Sequence, residues 1–165
     1  PQALNAQAMA LFNDALAELK AGRQREGQEL ARLINERLDS MAEEVTTLRA
    51  LVPQMLAAQR QKILDRFNDL QAEIDPQRLE QEMVLLAQKS DVAEELDRLD
   101  THVAEVRRVL KGAGAAGRRL DFLMQELNRE ANTLGSKAFD PRSTQAAVNL
   151  KVLIEQMREQ VQNIE

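Results

Sequence analysis

The chain has 165 residues, a formal net charge of -5 at pH 7, and no cysteine, tryptophan or tyrosine. That length suits one domain; the missing thiols exclude a disulfide framework, thiolate catalysis and cysteine-ligated metal, and neither a membrane-spanning apolar run nor a signal peptide is visible. Four phenylalanines and one histidine are the only aromatic rings, which limits base stacking, and the acidic balance argues against general polyanion binding while leaving room for a local basic patch.

Residues 2–20 read as a first helix, with Leu4, Ala8, Leu11, Phe12, Ala15 and Leu19 on one face and a break expected near Gly22 and Gly27. From Arg25 to Leu70 the helical period hardly stops: Leu30, Leu33, Ile34, Leu38, Met41, Val45, Leu48, Val52, Met55, Leu56, Ile63, Phe67 and Leu70 recur at threes and fours. Pro53 lacks an N–H and disfavours helix at the residue before it, but no other turn residue stands beside it, so the expectation is one rod kinked near Pro53. Asp75 and Pro76 predict the next start, cap and first helical position, with that helix running to about Gln88. Ser90 or Asp91 then caps a helix ending near Lys111 and Gly112. A Gly/Ala loop leads into a helix beginning at Arg118 and ended by Gly135, and Asp140, Pro141, Arg142 and Ser143 separate it from a last helix over 144–164. The expected fold is all-α, a long helical arm plus an antiparallel helical bundle, with the arm and a connecting helix in 1–90 and the bundle in 91–165.

Three constellations can carry chemistry. On the helix over 91–110, Asp91, Glu95, Arg98, His102 and Glu105 share one edge beside the apolar stripe. Carboxylates and an imidazole so spaced can converge on a metal or a proton-transfer site, and His102 is the only histidine for acid–base work. The same residues are also ordinary neighbours on a solvated helix face. On the helix from 118, the apolar stripe Leu120, Leu123, Met124, Leu127, Ala131 and Leu134 is flanked on one side by Asp121, Gln125, Asn128, Asn132 and Ser136. Glu126, Glu130 and Lys137 lie on the other flank, with Arg129 between.

Glu126 and Glu130, one turn apart, suit magnesium or manganese. Glu95 and His102 complete the candidate ligand set if the two helices form a hairpin. If the substrate is an RNA phosphodiester, as the resemblance given below implies, such an ion would offset phosphorane charge, Arg129 would clamp the phosphate, and Asn128 or Asn132 would meet ribose or base edges. The candidate catalytic group is then His102, Glu126, Glu130 and Arg129. The alternative is a set of interhelical ion pairs. Third, Arg107, Arg108, Lys111, Arg118 and Arg119 flank the glycine loop with no acid between them in sequence. This tip suits sequence-neutral contact with a phosphate backbone, and Lys137 joins the candidate RNA-contacting residues. Favourable charge at a helix carboxy terminus accounts for Arg107, Arg108 and Lys111 equally well, but not for Arg118 and Arg119 at a helix start.

The run RRLDFLMQELNREANTLGSKA at 118–138 resembles the signature of the YicC family of bacterial stress-induced proteins, described as endoribonucleases. Residues 150–165 are similar to that family's carboxy terminus. Glu94, Glu95, Arg98, Leu99 and His102 fit its EE-x-x-R-L-x-x-H stretch, and Arg25, Glu26 and Gly27 fit its REG element. Family members begin with a separate amino-terminal domain, and a chain opening at Pro1 without Met reads as the carboxy-terminal portion. The resemblance implies RNA as substrate and a homo-oligomer, a hexamer when intact, and the absence of cysteine fits a cytoplasmic origin. No membrane and no organic cofactor are expected. Combined with the spacings above, it predicts a helical RNA-binding module of a metal-dependent endoribonuclease. Two rivals stand beside this reading: a non-catalytic oligomerisation module whose activity needs the missing domain, and a helical adaptor for another protein.

Overall fold

The computed structural model describes residues 2–69, 76–112 and 114–163. They form α1 (Gln2–Asp69), α2 (Pro76–Lys89), α3 (Ala93–Lys111), α4 (Gly117–Ser136) and α5 (Pro141–Val161), with no strand among them. The expected ends at Leu70 and Ile164, the Asp75 cap and Ala113 of the glycine loop lie outside the described residues.

Each bundle helix carries a buried stripe with alternating spacings of four and three. On α1 it is Ile34, Leu38, Met41, Val45, Leu48 and Met55. Leu96, Leu99, Val103 and Val106 form it on α3, with Val92 just before the helix. On α4 it is Leu120, Met124, Leu127, Ala131 and Leu134, and on α5 Ala147, Leu150, Ile154, Met157 and Val161. That 3.5-residue repeat keeps one seam facing inward along the helix, as four-helix bundles require. The helices close into a ring in which α1 packs on α3 and α5, and α4 on α3 and α5. The middle of α1 is thus one wall of the core, and residues on both sides of position 90 share it.

α1 does not break at Gly22 or Gly27. A glycine inside a helix costs about 1 kcal/mol against alanine, which a long helix absorbs, and neither glycine makes a close packing contact. The rod also continues through Pro53, whose missing N–H leaves the Arg49 carbonyl without its helical donor. At 1.5 Å per residue, 68 residues extend ~100 Å, far beyond the bundle. Residues 2–21 are exposed throughout, so the apolar face expected on the first helix is bare, with Leu4 and Leu11 each 70% accessible. At the opposite end of α1, α2 leaves an open groove lined by Leu56, Ala57 and Leu64 of α1 and Met83, Val84 and Leu86 of α2. α5 begins at Pro141 rather than at Thr144. The Asp140 carboxylate accepts the Arg142 N–H at 2.9 Å, and the Ser143 hydroxyl lies 3.3 Å from the Asp140 N–H, so the cap acts three residues earlier.

Candidate nucleic-acid interface and the acidic edge of the hairpin

α3 and α4 form an antiparallel hairpin, and its register is set by three charged rungs. Near the start of α3, Lys137 Nζ donates to Glu95 Oε1 and to the Asp91 carbonyl, both at 2.8 Å. One turn on, Arg98 Nη1 lies 3.4 Å from Glu130 Oε1 while its Nη2 donates to Glu94. Near the tip, Glu105 accepts from Arg108 at 2.7 and 2.8 Å and also from Arg119. Glu95 and Glu130 are 6% and 3% accessible. Carboxylates so buried are retained when a cation is at hand.

His102 falls between the Arg98 and Glu105 rungs on α3, and Glu126 falls in the corresponding gap on α4. Both are half-buried. Among the described residues no hydrogen bond or ion pair joins them, and Glu126 has only Arg129 Nη1, 3.4 Å from its Oε2. The hairpin therefore brings the expected His102 and Glu126 to one edge, but it does not assemble the expected metal set. Among the described residues no three His, Asp or Glu side chains can share an ion. The reason is the register: antiparallel pairing sets Lys137 against Glu95 and Arg98 against Glu130, so cations take up two of the four proposed ligands. Those rungs are the interhelical ion pairs weighed above as the alternative.

The tip is less basic in space than in sequence. Glu105, outside the 107–119 run, sits between Arg108 and Arg119. Arg108 foremost, then Arg119, hold its carboxyl at about 2, well below its usual 4.5. Arg107 turns toward α1, its Nη2 2.6 Å from Asp39 Oδ1, and acts as a brace. Lys137 is likewise occupied by Glu95. Lys111 and Arg118 are exposed and have no ion pair among the described residues, as do Asn128 and Asn132 on the outer face of α4. Gly114 turns the loop at φ +116, a conformation that disfavours any residue with a Cβ. A cavity of about 230 Å³ opens here between Arg108, Val109, Gly112, Ala115 and Arg119. No side chain caps α4 and no acid stands in its first turn, so its free N–H groups add to the positive end.

Sequence spacing could not reveal the braces to α1. Arg49 binds Asp97 and Asp100 at 2.8 Å each, and Asn149 Nδ2 lies 3.4 Å from Glu44 Oε1. These partners are 48 to 105 positions apart, beyond any local pattern.

Residues 48–165 match the family described as "Endoribonuclease YicC-like, C-terminal". The chain is 55% identical over 163 residues to "Probable endoribonuclease YicC" of Haemophilus influenzae, covering 99% of this chain and 57% of that protein. It is 36% identical over 155 residues to the protein of the same description in Clostridioides difficile, covering 92% of this chain and 53% of that one. The chain thus spans about half the length of the curated relatives it matches. Among its described residues no helix is long and apolar enough to cross a membrane.

Proposed function

Because the chain belongs to the YicC-like endoribonuclease family, we propose that it is the RNA-holding helical module of an endoribonuclease, gripping the phosphodiester backbone at the α3–α4 tip. The carrying observation is the pair Lys111 and Arg118, exposed and free of ion pairs among the described residues, beside the cavity edged by Arg108 and Arg119. Unpaired cations at a loop and a helix start suit phosphate whatever the sequence.

In this reading His102 and Glu126 are the chain's contribution to cleavage. An imidazole and a carboxylate on one edge can take a proton from the attacking oxygen and return one to the leaving oxygen, with Arg129 adding positive charge beside Glu126. A divalent ion, magnesium or manganese, would have to draw its ligands from beyond Glu95 and Glu130, which are paired within the chain. The bare arm supports the second half of the proposal, assembly with further copies through Leu4, Leu11, Phe12 and Leu19, because exposed apolar surface of this extent marks an interface.

The test is affinity for single-stranded RNA across a salt series. Replacing Lys111 and Arg118 by Gln makes the slope of log K against log salt less negative by about 1.4, at roughly 0.7 per phosphate contact on a single strand. A slope equal to wild type removes the tip from the RNA interface.

A further inference from the structure

Along α4, Arg118, Phe122, Gln125, Arg129, Asn132 and Ser136 follow one another at spacings of four and three, and all six are exposed. They form one outward stripe ~27 Å long, opposite the seam that faces the core. It carries two guanidiniums, two amides, a hydroxyl and one phenyl ring, and no acid. Two carboxylates flank it: Asp121 accepts from Gln125 Nε2 at 3.0 Å, and Glu126 Oε2 lies 3.4 Å from Arg129 Nη1, leaving Arg118 as the stripe's cation with no ion pair among the described residues.

The ring is the anomaly. Phe122 is 57% accessible, although Leu120, Leu123 and Met124 around it close the core. It is the most exposed large apolar side chain of the bundle among the described residues, and the chain has only four phenylalanines to spend. A phenyl ring more than half in water contributes little to packing. Flanked by guanidiniums and amides, it has what binders of single-stranded nucleic acid use: cations along the backbone and an aromatic face on which an unpaired base lies. Arg118 stands one turn before the ring on the same stripe, at the tip already assigned to phosphate. Arg129 stands two turns after it.

We propose that Phe122 is a stacking platform for an unpaired base of the bound RNA. In this arrangement Arg118 and Arg129 hold phosphates on either side, and Gln125 and Asn132 offer amides to base edges. The inference rests on the RNA-holding reading above and adds a selectivity: a duplex hides its base faces, so Phe122 favours unpaired over paired RNA. Charge complementarity favours RNA over a protein helix as occupant, because the stripe offers cations and no anion.

The chain contains no tryptophan or tyrosine, so Phe122→Trp places a lone reporter on the stripe. We expect its emission to be quenched by a short oligouridylate and not by a blunt duplex. Phe122→Ala weakens the single strand about tenfold, within the range for one lost stack, while the salt slope and duplex affinity stay as in wild type. Its thermal midpoint is unchanged, because the ring lies outside the core. Wild-type single-strand affinity in Phe122→Ala, or an unquenched Phe122→Trp that still binds, overturns the stacking role and leaves the tip reading standing. Loss of self-association in Phe122→Ala with RNA affinity intact reassigns the ring to a protein contact and also overturns it. A wild-type chain that binds no RNA removes both readings together.

Discussion

At the edge of the α3–α4 hairpin, Glu95 and Glu130 each meet one cation from the facing helix. At its tip, Arg108 and Arg119 share Glu105, while Lys111 and Arg118 meet no acid among the described residues. Both clusters are strings of charged residues at helical spacing, and in sequence they look alike. They differ in their balance once folded. Cancelled, partly buried charge holds two helices in register, whereas surplus, exposed charge remains available to a ligand. His102 and Glu126 lie between the two regimes, on the structural edge but outside its rungs.

The sharpest way to break that comparison is Glu126→Gln in a protein carrying the remaining length of its relatives. Gln keeps the size and one oxygen but loses the charge. If Glu126 belongs to the chemistry, cleavage falls about a hundredfold, the scale of a lost acid–base group, while RNA affinity holds. His102→Ala should then add little to that loss. A time course at the wild-type rate would return Glu126 to the structural edge and move the chemistry outside this chain.

Glu130→Gln tests the other side. It removes the buried charge facing Arg98 and lowers stability by about 1–2 kcal/mol, the low end for a hydrogen bond to a charged group because Arg98 is half exposed and screened by solvent, with the tip's RNA affinity unchanged. Urea unfolding beside a binding curve reads both, and unchanged stability would show that the rung does not hold the helices.

The smallest effect is expected from Glu105→Gln. It removes the acid that Arg108 and Arg119 share, raising RNA affinity a few-fold and steepening the salt dependence. Glu105 also carries a pH signature. Its folded pKa of about 2 lies below the ordinary 4.5, so its contribution to stability is complete above pH 4.5 and fades as pH falls toward 2. The stability difference between wild type and this variant should close over the same window. A difference independent of pH would mean that the two arginines do not hold the carboxylate.

Much of the fold was legible because helical period is local. Leu96, Leu99, Val103 and Val106, or Leu120, Met124, Leu127 and Ala131, announce a helix with one apolar seam whatever surrounds them. The start of α5 reads three residues late in sequence, because Asp140, Pro141 and Ser143, which cap the helix, also have the composition of a separating turn. The glycines at 22 and 27 misled, since a glycine lowers helix stability without forbidding the helix. Exposure was not legible: the stripe through Leu4, Ala8, Leu11 and Ala15 has the same four-three spacing as that through Ile34, Leu38 and Met41, yet one is bare and the other fully buried.

For the candidate site, spacing placed Glu95, Arg98, His102 and Glu105 on one edge of α3, and Glu126 and Glu130 on one flank of α4. It could not say which would face which. Among the described residues the four expected ligands are not brought together, because Lys137 and Arg98 come to Glu95 and Glu130 from 42 and 32 positions away.

Sequence alone determined the helices, their apolar seams, the family and the inventory of charged side chains, all of which follow from covalent order and a fixed 3.6-residue turn. Only the tertiary structure decided which charges cancel. Coulomb attraction acts across space, between side chains that the antiparallel hairpin and the α1 wall bring within about 3 Å of each other. It is pairing between helices, rather than with a neighbour on the same helix, which sets Glu95 and Glu130 apart from Glu126, and Arg107 apart from Arg118.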